Sequence, residues 1–182
     1  MTTALLIVDI QNDYFPGGAF PLVGPEAAAE VAGAVLARFR AEGRPVVHVQ
    51  HIWDAPDAEF FKPGTPGVEI HAAVAPSGDE PVVSKAYPNS FRETVLRETL
   101  EGIGAKRLVV AGMMTSMCVD ATVRAAADLG YDVTVIADGC AAPDLSFADR
   151  TVAAADVHAA FVAALADSYA TVVTGSELDL VD

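Results

Sequence analysis

Residues 107–138 read RLVVAGMMTSMCVDATVRAAADLGYDVTVIAD. An apolar run, RLVVAG, leads into a turn and then an Ala-rich segment, 116–129, with a helical pattern that Gly130 stops. A second apolar run, DVTVIAD (132–138), follows. Strand, helix and strand in this order form a βαβ unit, whose strands lie parallel with a right-handed crossover. Cys118 sits in the turn, so the stretch raises a chemical question as well as a topological one. A free cysteine there is either a small apolar filler or a nucleophile.

The same alternation extends both ways. ALLIVD (4–9) predicts a buried strand and PEAAAEVAGAVLARFRAEG (25–43) a helix, with Pro25 in its first turn and Gly43 at its end. PVVHVQH (45–51) and PVVSK (81–85) predict strands. Residues 53–80, rich in Pro, Gly and Asp, predict a long loop with at most one short helix. NSFRETVLRETLEGIG (89–104) predicts a helix capped by Asn89 or Ser90, with Glu93 placed for a capping box. A helix over 146–167 capped by Ser146 and a last strand, ATVVT (170–174), complete the pattern.

Six Val/Ile/Leu-rich strands separated by helices imply an α/β chain: a doubly wound, mainly parallel six-stranded sheet with helices on both faces. All 182 residues fit a single domain, 1–182. Sites in such sheets gather at the carboxyl ends of the strands. The first strand ends at Asp9, the second at His51, the third at Lys85 and the fifth at Asp138. The GMMTSMC turn follows the fourth.

Composition excludes several classes. Net charge is −14, from 25 acidic against 11 basic residues, so a polyanion is repelled. The densest basic stretch, RFRAEGR (38–44), reads as a helix end. The expected partner is a small molecule, without nucleic acid or membrane. No apolar run reaches the roughly 18–20 residues of a membrane helix, and no basic leader precedes an apolar core. The expected location is cytoplasmic. The two cysteines, Cys118 and Cys140, read as free thiols. A phosphate-cradling loop is absent: no G-x-G-x-x-G follows the first strand.

Three strand ends deliver a carboxylate, an ammonium and a thiol to one sheet edge. Asp9, ending an apolar strand, reads either as a charge leaving the sheet or as a buried carboxylate with a raised pKa. Lys85 beside a thiol favours the thiolate, and a helix start capped by Thr115 or Ser116 lowers the Cys118 pKa further.

LLIVDIQNDYFPGGAF (5–20), the lysine of VVSKAYPNSF (82–91), and VVAGMMTSMCVDATVRAAADLGYDVTVIAD (109–138) together resemble the isochorismatase-like cysteine hydrolases, a superfamily that includes nicotinamidases. The resemblance covers nearly the whole chain. It implies the doubly wound fold, an Asp–Lys–Cys triad at Asp9, Lys85 and Cys118, and a cis peptide at Met113–Met114. It further implies an oxyanion hole from the N–H groups of Met114 and Cys118. The implied activity is hydrolysis of a small amide, carbamoyl compound or lactam through a thioester; a vinyl-ether hydrolase and a catalytically silent ligand-binding member are the alternatives. Homodimers or larger assemblies are implied too.

The nicotinamidase metal pattern does not fit: His51 stands at the position of its Asp and Trp53 at that of its first His. His48, His51 and His71 match no metal cage, so neither metal nor cofactor is expected. On a strand His48 and His51 point to opposite faces, so only one meets the site. Expected pocket residues are Tyr14, Phe15, His51, Trp53 and Phe91, with Phe60 and Phe61 as pocket or subunit-contact aromatics. Gln11 and Asp13 read as braces. Glu69 and His71 read as ordering the loop or touching substrate, Cys140 as a packed thiol and His158 as a packing or subunit-contact residue.

Overall fold

A computed structural model describes residues 1–180. Its strands are β1 (Thr2–Val8), β2 (Val46–His51), β3 (Val82–Lys85), β4 (Ala105–Met113), β5 (Asp132–Ala141), β6 (Leu145–Phe147), β7 (Arg150–Val152) and β8 (Thr171–Val173). Its α-helices are α1 (Pro25–Ala41), α2 (Leu96–Ile103), α3 (Asp120–Asp128) and α4 (Ala154–Ser168). Six strands form one sheet in the order β3-β2-β1-β4-β5-β8, every neighbouring pair parallel. The strand order reverses between β1 and β4, which opens a crevice at their carboxyl ends. No helix among the described residues is long and apolar enough to cross a membrane.

The period of two in β1 builds both faces. Leu5 and Ile7 join α1 (Ala28, Ala32, Val35, Leu36, Phe39) in one core. Ala4, Leu6 and Val8 point the other way, onto Leu96 and Leu100 of α2, Val123 and Ala126 of α3, and Leu165 of α4. Each buried Leu or Ile contributes about 1.5–3 kcal/mol relative to exposure. A one-residue slip of β1 would exchange the two sets, so its register is strongly fixed.

Several predicted bounds shift. The helix expected over 89–104 begins only at Leu96. Ser90, its proposed cap, instead bonds through Oγ to Thr122 Oγ1 at 2.8 Å, and Glu93 has φ of +56°. Tertiary pull on Ser90 has replaced local capping. The helix expected over 146–167 begins at Ala154, because residues 145–152 fold as the β6–β7 hairpin, in which Ser146 faces Thr151. Asp144 Oδ1 accepts from the Ala154 N–H at that helix start, at 2.7 Å. Strand β5 runs past Asp138 to Ala141. The loop 53–80 holds two single 3-10 turns, Pro66–Val68 and Ala72–Val74.

Candidate active site

Strand β1 ends at Val8, and Asp9 turns the chain with φ of +52°. Gln11 then fixes the neighbouring strand end. Its side-chain Oε1 accepts from the His51 N–H (2.8 Å), while its Nε2 donates to the His51 carbonyl (2.9 Å) and the Val68 carbonyl (2.7 Å). The amide side chain thus continues the backbone ladder where β1 has stopped. Asp13 fastens the next turn to the long loop, accepting from the N–H groups of Ala19 (3.0 Å) and Phe61 (2.6 Å). Gly67 packs so closely on Asp13 that a Cβ would lie 1.9 Å from its Oδ1.

On β3, the register pairs Lys85 with His51. The Lys85 Nζ lies 2.6 Å from Asp9 Oδ2 and 3.2 Å from His51 Nδ1, and it donates to the Tyr87 carbonyl at 3.0 Å. His51 Nδ1 is 3.8 Å from both Cys118 Sγ and Asp9 Oδ2. Asp9, His51 and Cys118 each bring a reactive atom within 4.8 Å of the others. Asp9 Oδ1 has no hydrogen-bond partner.

This convergence corrects the triad. The clustered reactive set is Asp9, His51 and Cys118, not Asp9, Lys85 and Cys118. Sequence reading put His51 among pocket-lining residues. The parallel register of β2 and β3, which seats it beside Lys85, is a tertiary fact. One signal for it was legible: His51 ends its strand as Asp9 and Lys85 end theirs. These three donor types could also hold a metal ion. Lys85 already lies against two of them, so its ammonium supplies the positive charge a metal would bring.

The electrostatics invert two expectations. Burial pushes the Asp9 carboxyl up, but the neighbouring Lys85 ammonium outweighs it, and the net pKa falls below the usual carboxylate value. The Cys118 thiol moves the other way. Burial raises its pKa strongly and the Asp9 charge adds to this, while Lys85 opposes them without prevailing. The resting cluster is therefore an ionised carboxylate beside a protonated thiol, not a neutral acid beside a thiolate. Burial also keeps the Lys85 ammonium under pressure to lose its proton, and the Asp9 charge more than offsets that.

The turn carrying Cys118 follows a cis Met113–Met114 peptide. Residues Thr115–Val119 form one π-helical turn that runs into α3, and neither Thr115 nor Ser116 caps it with a side chain. Thr115 Oγ1 instead bonds His158 Nδ1 at 3.0 Å, which ties the turn to α4, and Ser116 Oγ is buried without a partner. Gly112 lets the end of β4 pass close to β1: a Cβ there would lie 2.2 Å from the Val8 carbonyl oxygen.

Of the expected pocket residues, Tyr14 lies near the cluster. Burial first, then the nearby Asp9 charge, pushes its phenol well above the usual range. Tyr14, Trp53, Phe60 and Phe61 make an aromatic group in which Phe61 reaches the His51 ring at 5.7 Å. Phe15 stacks on His71 at 3.7 Å on the wall of a separate cleft of about 750 Å³, together with Phe60, Lys62 and Gly67. Phe91 packs on the α2–α3 side against Tyr131. Cys140 is buried in that same core, with its thiol pushed up to about 12 by burial.

Residues 3–177 match the Isochorismatase domain family. The chain belongs to the isochorismatase family. Among its relatives, the isochorismatase family protein YddQ of Bacillus subtilis strain 168 is 53% identical over 174 residues, 96% of this chain and 97% of YddQ. A streptothricin hydrolase of Streptomyces noursei is 35% identical, covering 98% of this chain and 61% of its own length. A crystal structure of an isochorismatase hydrolase candidate from Oleispira antarctica superposes with a TM-score of 0.94 at 51% identity, covering 97% of this chain and 95% of that one. The buried Asp9–His51–Cys118 cluster is consistent with the cysteine-dependent hydrolases of this family.

Proposed function

We propose that this protein hydrolyses a C–N amide bond in a small molecule, with Cys118 as nucleophile and a thioester as intermediate. One observation carries the reading: Asp9, His51 and Cys118 bring their reactive atoms within 4.8 Å of one another, with one Asp9 oxygen left unpartnered, an arrangement in which the carboxyl is held low and the thiol high. A base that holds its charge next to an acid that holds its proton is poised for transfer once an electrophile arrives.

In the first half-reaction the Cys118 proton passes to Asp9 while Sγ attacks the carbonyl carbon. The backbone N–H groups of Met114 and Cys118 serve as donors to the oxyanion, a contribution on the order of several kcal/mol in such sites. Collapse expels the amine, which takes the proton from Asp9. In the second half-reaction Asp9 draws a proton from water, the hydroxide attacks the thioester, and the carboxylic acid leaves as Sγ recovers its proton. His51, the third member of the reactive set, lies 3.8 Å from both Asp9 and Cys118, with Lys85 outside that set as a neighbouring charge. A relative bears the name of a hydrolase, streptothricin hydrolase, which agrees with this class of reaction. A family name is not an activity, so the site carries the argument.

A thiol and oxyanion donors serve a carbonyl, whereas a vinyl ether needs a proton on carbon and no nucleophilic sulfur. The test is a panel of primary amides, carbamoyl compounds, lactams and isochorismate, run on the wild type and on Cys118→Ala. Amide turnover lost in the variant supports the reading. Isochorismate turnover that survives Cys118→Ala overturns it.

A further inference from the structure

A lysine ammonium has three N–H donors and no acceptor. Lys85 lies 2.6 Å from Asp9 Oδ2, 3.0 Å from the Tyr87 carbonyl and 3.2 Å from His51 Nδ1, and it also faces Cys118. Because an ammonium can only donate, the histidine nitrogen that meets it accepts. Its other neighbours do not reverse this. Asp9 Oδ2, at 3.8 Å from Nδ1, is beyond hydrogen-bond range, and Cys118 at 3.8 Å is a weak donor through its own S–H. A neutral imidazole with a bare Nδ1 carries its proton on Nε2. Among the described residues nothing accepts from that Nε2–H: His51 makes its side-chain polar contacts through Nδ1.

Exposure says where the free donor lies. The His51 side chain is 14% exposed, while those of Asp9 and Lys85 are fully buried. The His51 side chain is therefore more open than those of Asp9 and Lys85, and with Nδ1 engaged by Lys85, Nε2 is the nitrogen left to meet an incoming molecule. Phe61, at 5.7 Å between ring centroids, flanks the ring.

We propose that His51 is a substrate-binding donor, held by Lys85 as the neutral Nε2–H tautomer and bonded to a second acceptor oxygen on the substrate, next to the carbonyl that Cys118 attacks. The substrate class narrows accordingly, from any small amide to one with two neighbouring acceptors. One is taken by the oxyanion donors and the other by His51. Lys85 thereby acts on two groups, holding the Asp9 charge and setting the histidine's tautomer. The substrate role rests on the hydrolase reading; the tautomer stands by itself.

Two measurements test it. In ¹⁵N-histidine NMR near neutral pH, the resonance that disappears in His51→Gln belongs to His51, one of four histidines. It should report a protonated Nε2 and a bare Nδ1, and Lys85→Met should erode that preference. An Nδ1–H tautomer or a doubly protonated ring in the wild type overturns the proposal. The second measurement is Cys118 alkylation, followed at that residue by mass spectrometry, with iodoacetamide, which carries an acceptor oxygen, and with methyl iodide, which does not. His51→Phe should slow iodoacetamide about tenfold more than methyl iodide, the loss of one hydrogen bond. Equal slowing of both reagents overturns the donor role. A wild-type Cys118 inert to both would sink the hydrolase reading instead, and the NMR result would still decide the tautomer.

Discussion

Strand β2 carries two histidines three residues apart, and each meets a carboxylate and a cation. His48 Nε2 lies 2.9 Å from Glu80 Oε2, and Arg40 grips the same carboxylate through Nε and Nη2, both at 2.7 Å. The Ser77 N–H adds a further bond at 2.9 Å. Both Glu80 oxygens are thus satisfied. The Arg40 bond is the main reason that the Glu80 carboxyl titrates at about 2. His51 stands beside Asp9 and Lys85, but there one carboxylate oxygen has no partner. The components are alike; what differs is how far the carboxylate is paired, since His48 Nδ1 is itself buried without a partner. The paired Glu80 carboxylate fastens helix α1 to the segment before β3, and the Asp9 carboxylate keeps an acceptor for a reacting proton. Incomplete hydrogen bonding of a buried charge is costly, so its presence at the sheet's carboxyl edge points to chemistry.

The contrast is broken if the two clusters respond alike to substitution. The largest effect belongs to Cys118→Ala, which should cut amide turnover by about a thousandfold or more while the protein unfolds at an unchanged urea midpoint. Next comes Asp9→Asn, which removes the base and strands a buried ammonium. We expect loss of turnover together with about 3–5 kcal/mol of stability, read from urea unfolding. The double variant Asp9→Asn with Lys85→Met should regain much of that stability and none of the activity. If Asp9→Asn alone is as stable as wild type, Lys85 is not held by that charge. Gly112→Ala forces a Cβ to within 2.2 Å of the Val8 carbonyl. Its expected cost is on the order of 2–3 kcal/mol, with a lower kcat because the nucleophile's turn moves with β4; a neutral result would mean that the strand end yields freely.

The smallest effect is at the Glu80 carboxylate. Glu80→Gln should cost about 1–2 kcal/mol at neutral pH and leave turnover within a few-fold of wild type. Its pH signature is sharper. The folded-state pKa of Glu80 is depressed from 4.5 to about 2. Its stabilisation is therefore fully present above the upper value and lost as pH falls through the lower one. Urea midpoints measured against pH should fall through that window in the wild type and fall less in Glu80→Gln. Asp9, also depressed, acts with the same sign: its stabilisation is complete above the ordinary value of 3.8 and is lost as pH falls below it.

Much of this was legible in the residues themselves. The alternating apolar runs give the strand count, and the helical patterns between them make the sheet parallel. Asp9, Lys85 and Cys118 were visible as reactive types at strand ends. Local rules failed where a tertiary partner outbid a local one. Ser90 left its cap for Thr122, and residues 145–152 formed a hairpin instead of the first turns of α4. Thr115 bonded His158 instead of capping its own turn.

The protonation pattern was invisible for the same reason. A helix start and a nearby lysine argue for a thiolate, but the depth of burial and the closeness of Asp9 are sums over distant parts of the chain, and together they keep the proton on sulfur. The sequence by itself determined which reactive groups reach the sheet edge, because periodicity and strand ends are local properties. Only the tertiary structure decided that His51 joins them, which atoms stay unpartnered and where the protons rest, because those depend on register and desolvation, which no short stretch of residues contains.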